Sequence, residues 1–237
     1  MIQHIVAPRS PEWFAARLGI PTSSEFYRVM TPKTRKLSSQ APGYMYRLLA
    51  EWMTGEQVEN FESEYMVRGV ELEDQAMLAY ENLQDVETQP GGFITTDDGL
   101  IGCSPDRLVG EDGDLELKCP LIHTQVKYAL EGTVDDDYMC QLQGRMMIHG
   151  REWVDIFAYH PRLIIPPVRV KRDEKFIADL KSTLAAFVDT MLNCRVKLES
   201  LYGPFTRPER SDHSADGITL GDEEQIINDL RSSGRLT

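Results

Sequence analysis

Two carboxylates and a lysine stand where a short hairpin would bring them together. Asp106 comes before a turn that contains an Asp-Gly pair, and Glu116 and Lys118 follow that turn. An Asp-Gly pair between short apolar runs is a strong hairpin signal. A turn centred near Glu111 places Asp106 opposite Glu116, with Cβ atoms roughly 5 Å apart. Because opposed like charges destabilise a sheet, this placement predicts a divalent cation. Mg²⁺ is usually held by one or two carboxylates together with waters and phosphates.

The second arm of this hairpin alternates apolar and charged residues. Leu115, Leu117 and Cys119 fall on one sheet face, and Glu116 and Lys118 fall on the other. An acidic residue followed after a short gap by Glu-x-Lys is typical of nucleases of the restriction-endonuclease-like class. The spacing alone fits a solvated strand face beside an acidic turn equally well. Its position across a hairpin is what favours the metal site.

The composition is that of a globular chain with a strong acidic excess. The 237 residues suit one domain, and 25 Lys and Arg against 38 Asp and Glu give a formal net charge of −13. Binding of phosphates draws on Lys and Arg, so this charge argues against broad adhesion to nucleic acid. A nuclease with this charge must concentrate its basic groups locally, as an enclosed groove or channel would do.

The cysteines and the hydropathy pattern indicate the compartment. The four cysteines form no CxxC pair, which predicts reduced core thiols rather than disulfides or zinc ligands; they are Cys103, Cys119, Cys140 and Cys194. The sequence shows no apolar run long enough to span a bilayer and no secretory leader. We therefore expect a cytoplasmic protein with no membrane segment.

Helical and extended patterns alternate along the chain. The predicted helices cover 10–19, 42–54, 62–82 and 135–149, with a further helix start at 22–25 and a long helix capped by Asp173. The predicted strands lie near 91–97, 101–109, 114–119, 152–160 and 168–171. This order predicts an α/β fold in which a mixed β-sheet is flanked by helices in a single domain over 1–202. Residues 203–237 read as an acidic linker with a candidate short helix at 222–230.

Two of the predicted helices carry polar residues that would suit a catalytic centre. Glu73 lies on a mostly apolar helix face, where a carboxylate is costly to bury without a partner or a metal. The alternative is a side chain that extends to solvent at the edge of the stripe. Tyr138, Gln141 and Arg145 share one face of the 135–149 helix. Gln141 can bind a water or a phosphate oxygen, although an ordinary polar outer face would show the same spacing.

A third polar set lies near the start of the chain. Arg17 and Ser24 flank the turn between the first two predicted helices. An Arg fork, a hydroxyl and the N–H groups of a helix start can together form a phosphate pocket. A surface Arg and a capping Ser are the plainer alternative. The five histidines show no metal-ligand spacing; they are His4, His123, His149, His160 and His213.

Six short motifs occur in a fixed order along the chain. They are Trp13-x-x-x-Arg17-x-Gly19, Thr22-Ser23-Ser24-Glu25, Gly69-x-x-x-Glu73-x-x-Ala76, Cys103-Ser104-Pro105-Asp106, Leu115-Glu116-Leu117-Lys118-Cys119-Pro120 and Tyr138-Met139-x-Gln141-x-Gln143. In this order and spacing they resemble the phage lambda exonuclease and YqaJ-type viral recombinase family. The run Arg172-Asp173-Glu174-Lys175 is similar too. The resemblance covers about residues 10–195, most of the chain.

The resemblance implies a fold, an activity and partners. The fold would be restriction-endonuclease-like, and the enzyme would require Mg²⁺, for which Mn²⁺ can substitute. Such enzymes digest one strand of linear double-stranded DNA from the 5′ end and leave 3′ overhangs for a single-strand annealing protein. They form ring-shaped homotrimers around DNA, and a basic lumen would reconcile DNA binding with an acidic exterior. The protein would belong to a phage or prophage in a bacterial host.

The resemblance also assigns site residues. Metal binding falls to Asp106, Glu116 and the Leu117 carbonyl; Glu73 and Gln141 support the metal and the attacking water; and Lys118 helps to activate that water. Arg17 and Ser24 would contact the 5′-phosphate, and Tyr138 completes the predicted contacts with DNA. The sequence departs from the family where the phosphate pocket should have a further Arg. His123 and Thr124 stand there instead, with Lys127 as another substitute.

Two other functions fit the same motifs. One is a DNA clamp or recombination scaffold with a nuclease fold and no activity. The other is an endonuclease of the same fold. All the catalytic residue types are present, which favours the exonuclease.

Overall fold

The computed structural model describes residues 1–58 and 64–205, with the backbone alone for residues 64–67. The α-helices in these ranges are α1 (Pro11–Arg17), α2 (Ala41–Thr54), α3 (Glu64–Gln84), α4 (Ile122–Glu131), α5 (Met139–His149) and α6 (Glu174–Tyr202). The strands are β1 (Ile2–His4), β2 (Thr88–Pro90), β3 (Phe93–Thr95), β4 (Gly102–Cys103), β5 (Arg107–Val109), β6 (Gly113–Lys118), β7 (Trp153–His160), β8 (Leu163–Ile164) and β9 (Val168–Lys171). Two 3₁₀ segments, Ser23–Arg28 and Asp136–Tyr138, complete the regular structure described.

A mixed sheet forms the centre of the fold. Its strands follow the order β2-β5-β6-β7-β8, and β9 pairs with β7. The β6 and β7 strands run parallel, and the other neighbours in this sheet run antiparallel. A smaller antiparallel sheet, β1-β3-β4, lies beside it. The prediction of a mixed sheet flanked by helices is confirmed.

The β5–β6 hairpin forms where the Asp-Gly turn predicted it. The register pairs Arg107 with Leu115 and Val109 with Gly113. Continued by one position, the same register sets Asp106 across from Glu116. The strand-start glycine, Gly113, is required by packing, because a Cβ there would lie 2.2 Å from the Trp153 ring.

The main core lies between the helices and the smaller sheet. It joins α2, α5 and α6 with the first 3₁₀ segment and strands β3 and β4. The long helix α6 buries the apolar positions that recur at three and four, among them Leu180, Leu184 and Met191. Its N-cap is Asp173, as predicted, and the side chain accepts hydrogen bonds from Lys175 N and Phe176 N, each at 3.0 Å.

Helix α4 was not predicted, because its apolar stripe faces the wrong way for a core helix. Ile122, Val126 and Leu130 recur at i, i+4 and i+8, yet all three are exposed. The buried positions are Gln125 and Tyr128. The Gln125 amide donates to the carbonyls of Ala158 at 2.7 Å and Leu163 at 2.9 Å, which fastens α4 to the sheet. A buried Gln gives no hydropathy signal.

The short strands were either not predicted or predicted as part of a longer strand. The segment predicted as one strand over 101–109 is two strands, β4 and β5, separated at Ser104, Pro105 and Asp106. The short strands β1, β2 and β8 were not predicted. Backbone contact explains Gly91 between β2 and β3, since a Cβ there would lie 2.1 Å from the Pro105 carbonyl oxygen. This close approach fixes the loop that carries Asp106.

The remaining general predictions have mixed outcomes. All four cysteines are free, as predicted, and Cys103 and Cys140 are buried. In the ranges described, no helix is both long and apolar enough to cross a bilayer. The candidate helix at 222–230 lies outside the described residues.

Candidate active site

A groove with a volume of about 910 Å³ brings most of the predicted site residues together. Its walls come from the segment around α1, the loop before α2, helix α3, the β5–β6 hairpin and helix α5. The predicted site residues that line it are Arg17, Ser24, Glu73, Asp106, Glu116, Lys118, Tyr138 and Gln141. Residues far apart in sequence therefore face one space.

Asp106 is a partly exposed carboxylate beside a second acid. Its Oδ2 accepts a hydrogen bond from the Leu117 N–H at 2.7 Å. Burial, together with the charge of Glu116, raises the pKa of Asp106 to about 7. Arg145 and Lys118 offset only part of this rise, and a cation at this place would supply further positive charge.

Glu116 is only 3% exposed and is surrounded by donors. Its Oε1 accepts from the Gln141 amide at 2.7 Å and lies 2.5 Å from Lys118 Nζ. Its Oε2 accepts from Arg145 Nη2. Burial favours the neutral acid, but Arg145 and Lys118 outweigh it and lower the pKa of Glu116 to about 2. Glu116 is therefore held ionised, whereas the negative charge of Asp106 is only partly offset by the nearby cations.

Arg145 belongs to the site, although the sequence placed it only on a shared polar helix face with Tyr138 and Gln141 and indicated no role for it. Its side chain is fully buried, so the alternative of an outer polar helix face is wrong here. Besides Glu116 it reaches the carbonyls of Leu115 at 3.3 Å and Ser104 at 3.4 Å. Burial opposes the charge, but Glu116 and Asp106 raise the pKa of Arg145 above its usual range.

The contact between α5 and β6 follows a simple pattern. Gln141, Arg145 and His149 stand four residues apart on α5, and Asp114 and Glu116 stand two apart on β6. Gln141 and Arg145 bind Glu116, and His149 Nδ1 lies 3.1 Å from Asp114 Oδ1. Four-residue polar spacing on a helix beside two-residue acidic spacing on a strand is the signal that could have identified Arg145.

The acid pair fits a divalent cation with few protein ligands. Within the described ranges, no three acidic, histidine or cysteine side chains are grouped to hold a metal. Asp106 and Glu116 supply two carboxylates, and Mg²⁺ takes its other ligands from waters, a carbonyl and substrate phosphates. The placement of Asp106 across the hairpin from Glu116, which contributes to the raised pKa of Asp106, is the observation that supports the fit.

Glu73 faces the groove but is held by another side chain. Its Oε2 accepts from Arg9 Nη2 at 2.8 Å, and the side chain is 30% exposed. The structure thus places Glu73 in the same space as Asp106 and Glu116, paired with an Arg that the sequence reasoning did not consider.

The predicted phosphate pocket contains three linked side chains. The Arg17 guanidinium lies 4.0 Å from the centre of the Trp13 ring and donates to Thr22 Oγ1 at 3.3 Å. Thr22 Oγ1 lies 3.4 Å from Ser24 Oγ, so Thr22 joins the two predicted residues. Burial lowers the pKa of Arg17. A partly desolvated cation beside hydroxyls favours an anionic ligand.

One hydrogen bond links this pocket to the acid pair. The Trp13 indole N–H donates to Ser104 Oγ at 3.0 Å, and Ser104 lies two residues before Asp106. Ser104 Oγ in turn donates to the Gly92 carbonyl at 2.7 Å. The distance between the two parts of the groove is thereby fixed by packed side chains.

The residues at the place of the missing Arg lie apart from the groove. His123 and Thr124 are on the first turn of α4 and do not line the groove, and His123 is exposed. Lys127 Nζ lies 2.5 Å from Asp135 Oδ1. Tyr138, in contrast, lines the groove, with Lys118 Nζ 4.9 Å from its ring centre.

The fold and the acid pair define the class of protein. A mixed sheet that carries an acid and Glu-x-Lys across one hairpin is the arrangement of the restriction-endonuclease-like class, as the sequence predicted. A comparison with family profiles matches residues 12–152 to the YqaJ-like viral recombinase domain. This match covers more than half of the chain, and the chain belongs to that family. No curated protein matches the chain significantly.

Solved structures agree with this assignment. The chain is 33% identical to LHK-Exo, an alkaline exonuclease from Laribacter hongkongensis, with a TM-score of 0.74 over 81% of this chain and 97% of that one. A complex of LHK-Exo with dAMP matches at 32% identity and the same TM-score and coverage. A phage-related exonuclease from Haemophilus somnus 129PT shares the fold, with a TM-score of 0.60 at 16% identity over 77% of this chain and 96% of that one.

Proposed function

We propose that this protein is a Mg²⁺-dependent 5′–3′ exonuclease that digests one strand of linear double-stranded DNA. The resulting 3′ overhangs serve recombination by strand annealing. The observation that carries the proposal is the cluster of Asp106, Glu116 and Lys118 in the lining of the groove. The similarity to an alkaline exonuclease at 33% identity supports an exonuclease reaction.

Each residue of the cluster has a role in this reaction. Asp106, Glu116 and the Leu117 carbonyl would hold Mg²⁺ or Mn²⁺, which would supply positive charge for the attacking and leaving oxygens. Lys118 lines the groove, and its Nζ lies 2.5 Å from Glu116 Oε1. Burial lowers the pKa of Lys118, but Glu116 and Asp106 outweigh burial and raise it, so the ammonium orients the attacking water rather than taking its proton. The Gln141 amide nitrogen is engaged by Glu116, which leaves the amide oxygen to accept a hydrogen bond from that water.

Linear and closed circular duplexes of the same sequence test this function. With Mg²⁺, the exonuclease degrades the linear form alone, and EDTA stops the reaction. Labelling each 5′ end in turn reports the polarity. Cleavage of the circle would identify an endonuclease of the same fold. Binding without cleavage of either form would identify a clamp.

The Arg17 pocket predicts a preference for 5′-phosphate ends. Arg17→Ala should slow digestion of 5′-phosphorylated duplex by about tenfold or more, since a hydrogen bond to a charged group is lost. Digestion of 5′-hydroxyl duplex should change much less, and Thr22→Val should show the same pattern more weakly. Initial rates on the two ends measure the effect. An equal loss on both ends would mean that Arg17 serves folding or general DNA binding.

Assembly and partners complete the proposal. The catalytic domain spans 1–202, and three copies form a ring that encloses duplex DNA. A ring concentrates the few basic residues of a chain with net charge −13 around the substrate. Light scattering should give three times the chain mass of 27.0 kDa. The ring acts in the cytoplasm of a bacterial host with a phage-type single-strand annealing protein, and residues 203–237 form an acidic linker.

A further inference from the structure

An unexpected ion pair stands inside the groove. Arg9 and Glu73 both line it, and their side chains are joined at 2.8 Å across 64 positions of sequence. Arg9 immediately precedes Ser10, the N-cap of α1. Its φ of 64° places a non-glycine residue in the left-handed region. Such backbone conformations are sparse, and they cluster at sites where a side chain must be aimed.

Arg9 is the groove cation best placed to exchange its partner. The other basic residues that line the groove are Arg17, which stacks on Trp13, and Lys118, which is 27% exposed and bound to Glu116. The Arg9 side chain is 50% exposed. An exposed Arg–Glu pair contributes little stability because water screens it. A phosphate, which accepts two parallel hydrogen bonds from a guanidinium, competes well with such a carboxylate.

We propose that Arg9 contacts a phosphate of the duplex and that, in the DNA-free enzyme, it restrains Glu73. When a phosphate takes the guanidinium, Glu73 is released to the part of the groove that holds Asp106 and Glu116. This inference rests on the proposed function, since it takes duplex DNA and a divalent metal as the ligands. Because the phosphate replaces Glu73 as the partner of Arg9, binding of DNA favours binding of the metal. By linkage, binding of the metal favours binding of DNA to the same degree.

Metal binding to the DNA-free protein tests the restraint on Glu73. Calorimetric titration with Mn²⁺ compares wild type, Arg9→Asn, Glu73→Gln and the double variant. Asn tolerates the left-handed backbone better than most residues, so Arg9→Asn removes the charge without disturbing the turn. We expect Arg9→Asn to bind Mn²⁺ about fivefold more tightly, within the usual range of such couplings. In the Glu73→Gln background the same substitution should have no effect.

DNA binding without metal tests the phosphate contact. Fluorescence anisotropy in EDTA, over a range of salt concentrations, should show weaker duplex binding by Arg9→Asn. The slope of the logarithm of affinity against the logarithm of salt concentration should become shallower by about one, the value for one lost phosphate contact. The matched control is Arg162→Asn, which removes the same charge from an exposed residue outside the groove lining and should leave the Mn²⁺ affinity unchanged.

We expect Arg9→Asn to bind Mn²⁺ more tightly and duplex DNA more weakly, and these opposite changes distinguish the proposal from a structural role for Arg9. A merely structural Arg9 would weaken both ligands together. Unchanged Mn²⁺ affinity, or an unchanged salt slope, in a folded Arg9→Asn protein overturns the inference while leaving the nuclease intact. Failure of the wild type to digest linear DNA overturns the proposed function instead. If Arg9→Asn melts early, Arg9→Gly keeps the left-handed backbone at no steric cost and repeats both titrations.

Discussion

We expect Asp106→Asn to abolish digestion of linear duplex DNA and, in the absence of metal, to raise the melting temperature of the protein at pH 8. The loss of activity follows because the amide removes one of the two carboxylates that face each other across the hairpin. Loss of that negative charge should weaken the proposed Mg²⁺ site and lower the rate by orders of magnitude. The gain in stability follows because the amide oxygen still accepts from Leu117 N–H and the repulsion from Glu116 is gone.

The size of this gain in stability depends on pH. The pKa of Asp106 rises from 3.8 to about 7 in the folded protein. The folded state therefore binds the proton more tightly than the unfolded state, and this stabilisation is full below 3.8 and lost as pH rises through about 7. At pH 8 the ionised Asp106 carboxylate destabilises the folded protein, and Asn removes that charge. The rise in melting temperature should therefore be larger at pH 8 than at pH 5.

Thermal melts in EDTA at pH 5 and pH 8, beside digestion assays with Mg²⁺, measure both effects. Asp189→Asn is the matched control, because Asp189 is exposed on α6 and lies outside the groove. It should leave digestion and both melting temperatures unchanged. Near-normal digestion by Asp106→Asn would exclude Asp106 as a metal ligand. An equal gain at the two pH values would mean that the charge of Asp106 is already compensated.

The parts of this site that were predictable are those encoded by neighbouring residues. The hairpin follows from an Asp-Gly turn and a period of two, and its observed register, Arg107 with Leu115, is the one that sets Asp106 across from Glu116 when it is continued by one position. The start of α6 follows from the Asp173 cap and from apolar positions within a few turns. In each case the signal and the structure lie within one element, so no knowledge of tertiary packing was needed.

The parts that were missed depend on contacts between distant elements. Gln125 becomes buried because α4 packs on the end of β7, which its own hydropathy does not indicate. Arg145 becomes a buried ion-pair partner because α5 lies over β6, 29 positions away in sequence. The pairing of Arg9 with Glu73 requires α1 and α3 to border one groove. A polar side chain that binds another polar side chain gives no hydropathy signal, and its spacing indicates a partner only once it is known which elements face each other.

Arg145→Met should be the most destabilising substitution at the site. The variant leaves the Glu116 carboxylate, 3% exposed, without the guanidinium that binds its Oε2, and it frees the carbonyls of Leu115 and Ser104. Removing one partner of a buried ion pair typically costs about 3–5 kcal/mol. For a chain of this size that loss corresponds to a fall in melting temperature of about 10 °C.

A double-mutant cycle separates the ion pair from simple packing. Glu116→Gln neutralises the carboxylate, so Arg145→Met in that background no longer strands a buried charge. The loss in free energy of unfolding caused by Arg145→Met should then be smaller in the Glu116→Gln background than in wild type. The difference between the two losses measures the coupling between Arg145 and Glu116. Urea unfolding and thermal melts in EDTA give the four free energies, and Arg162→Met serves as an exposed control. If the four values were additive, Glu116 would have to be compensated by Lys118 and Gln141 alone. If they are coupled, Arg145 is what keeps Glu116 buried and ionised on the wall of the groove before a metal arrives.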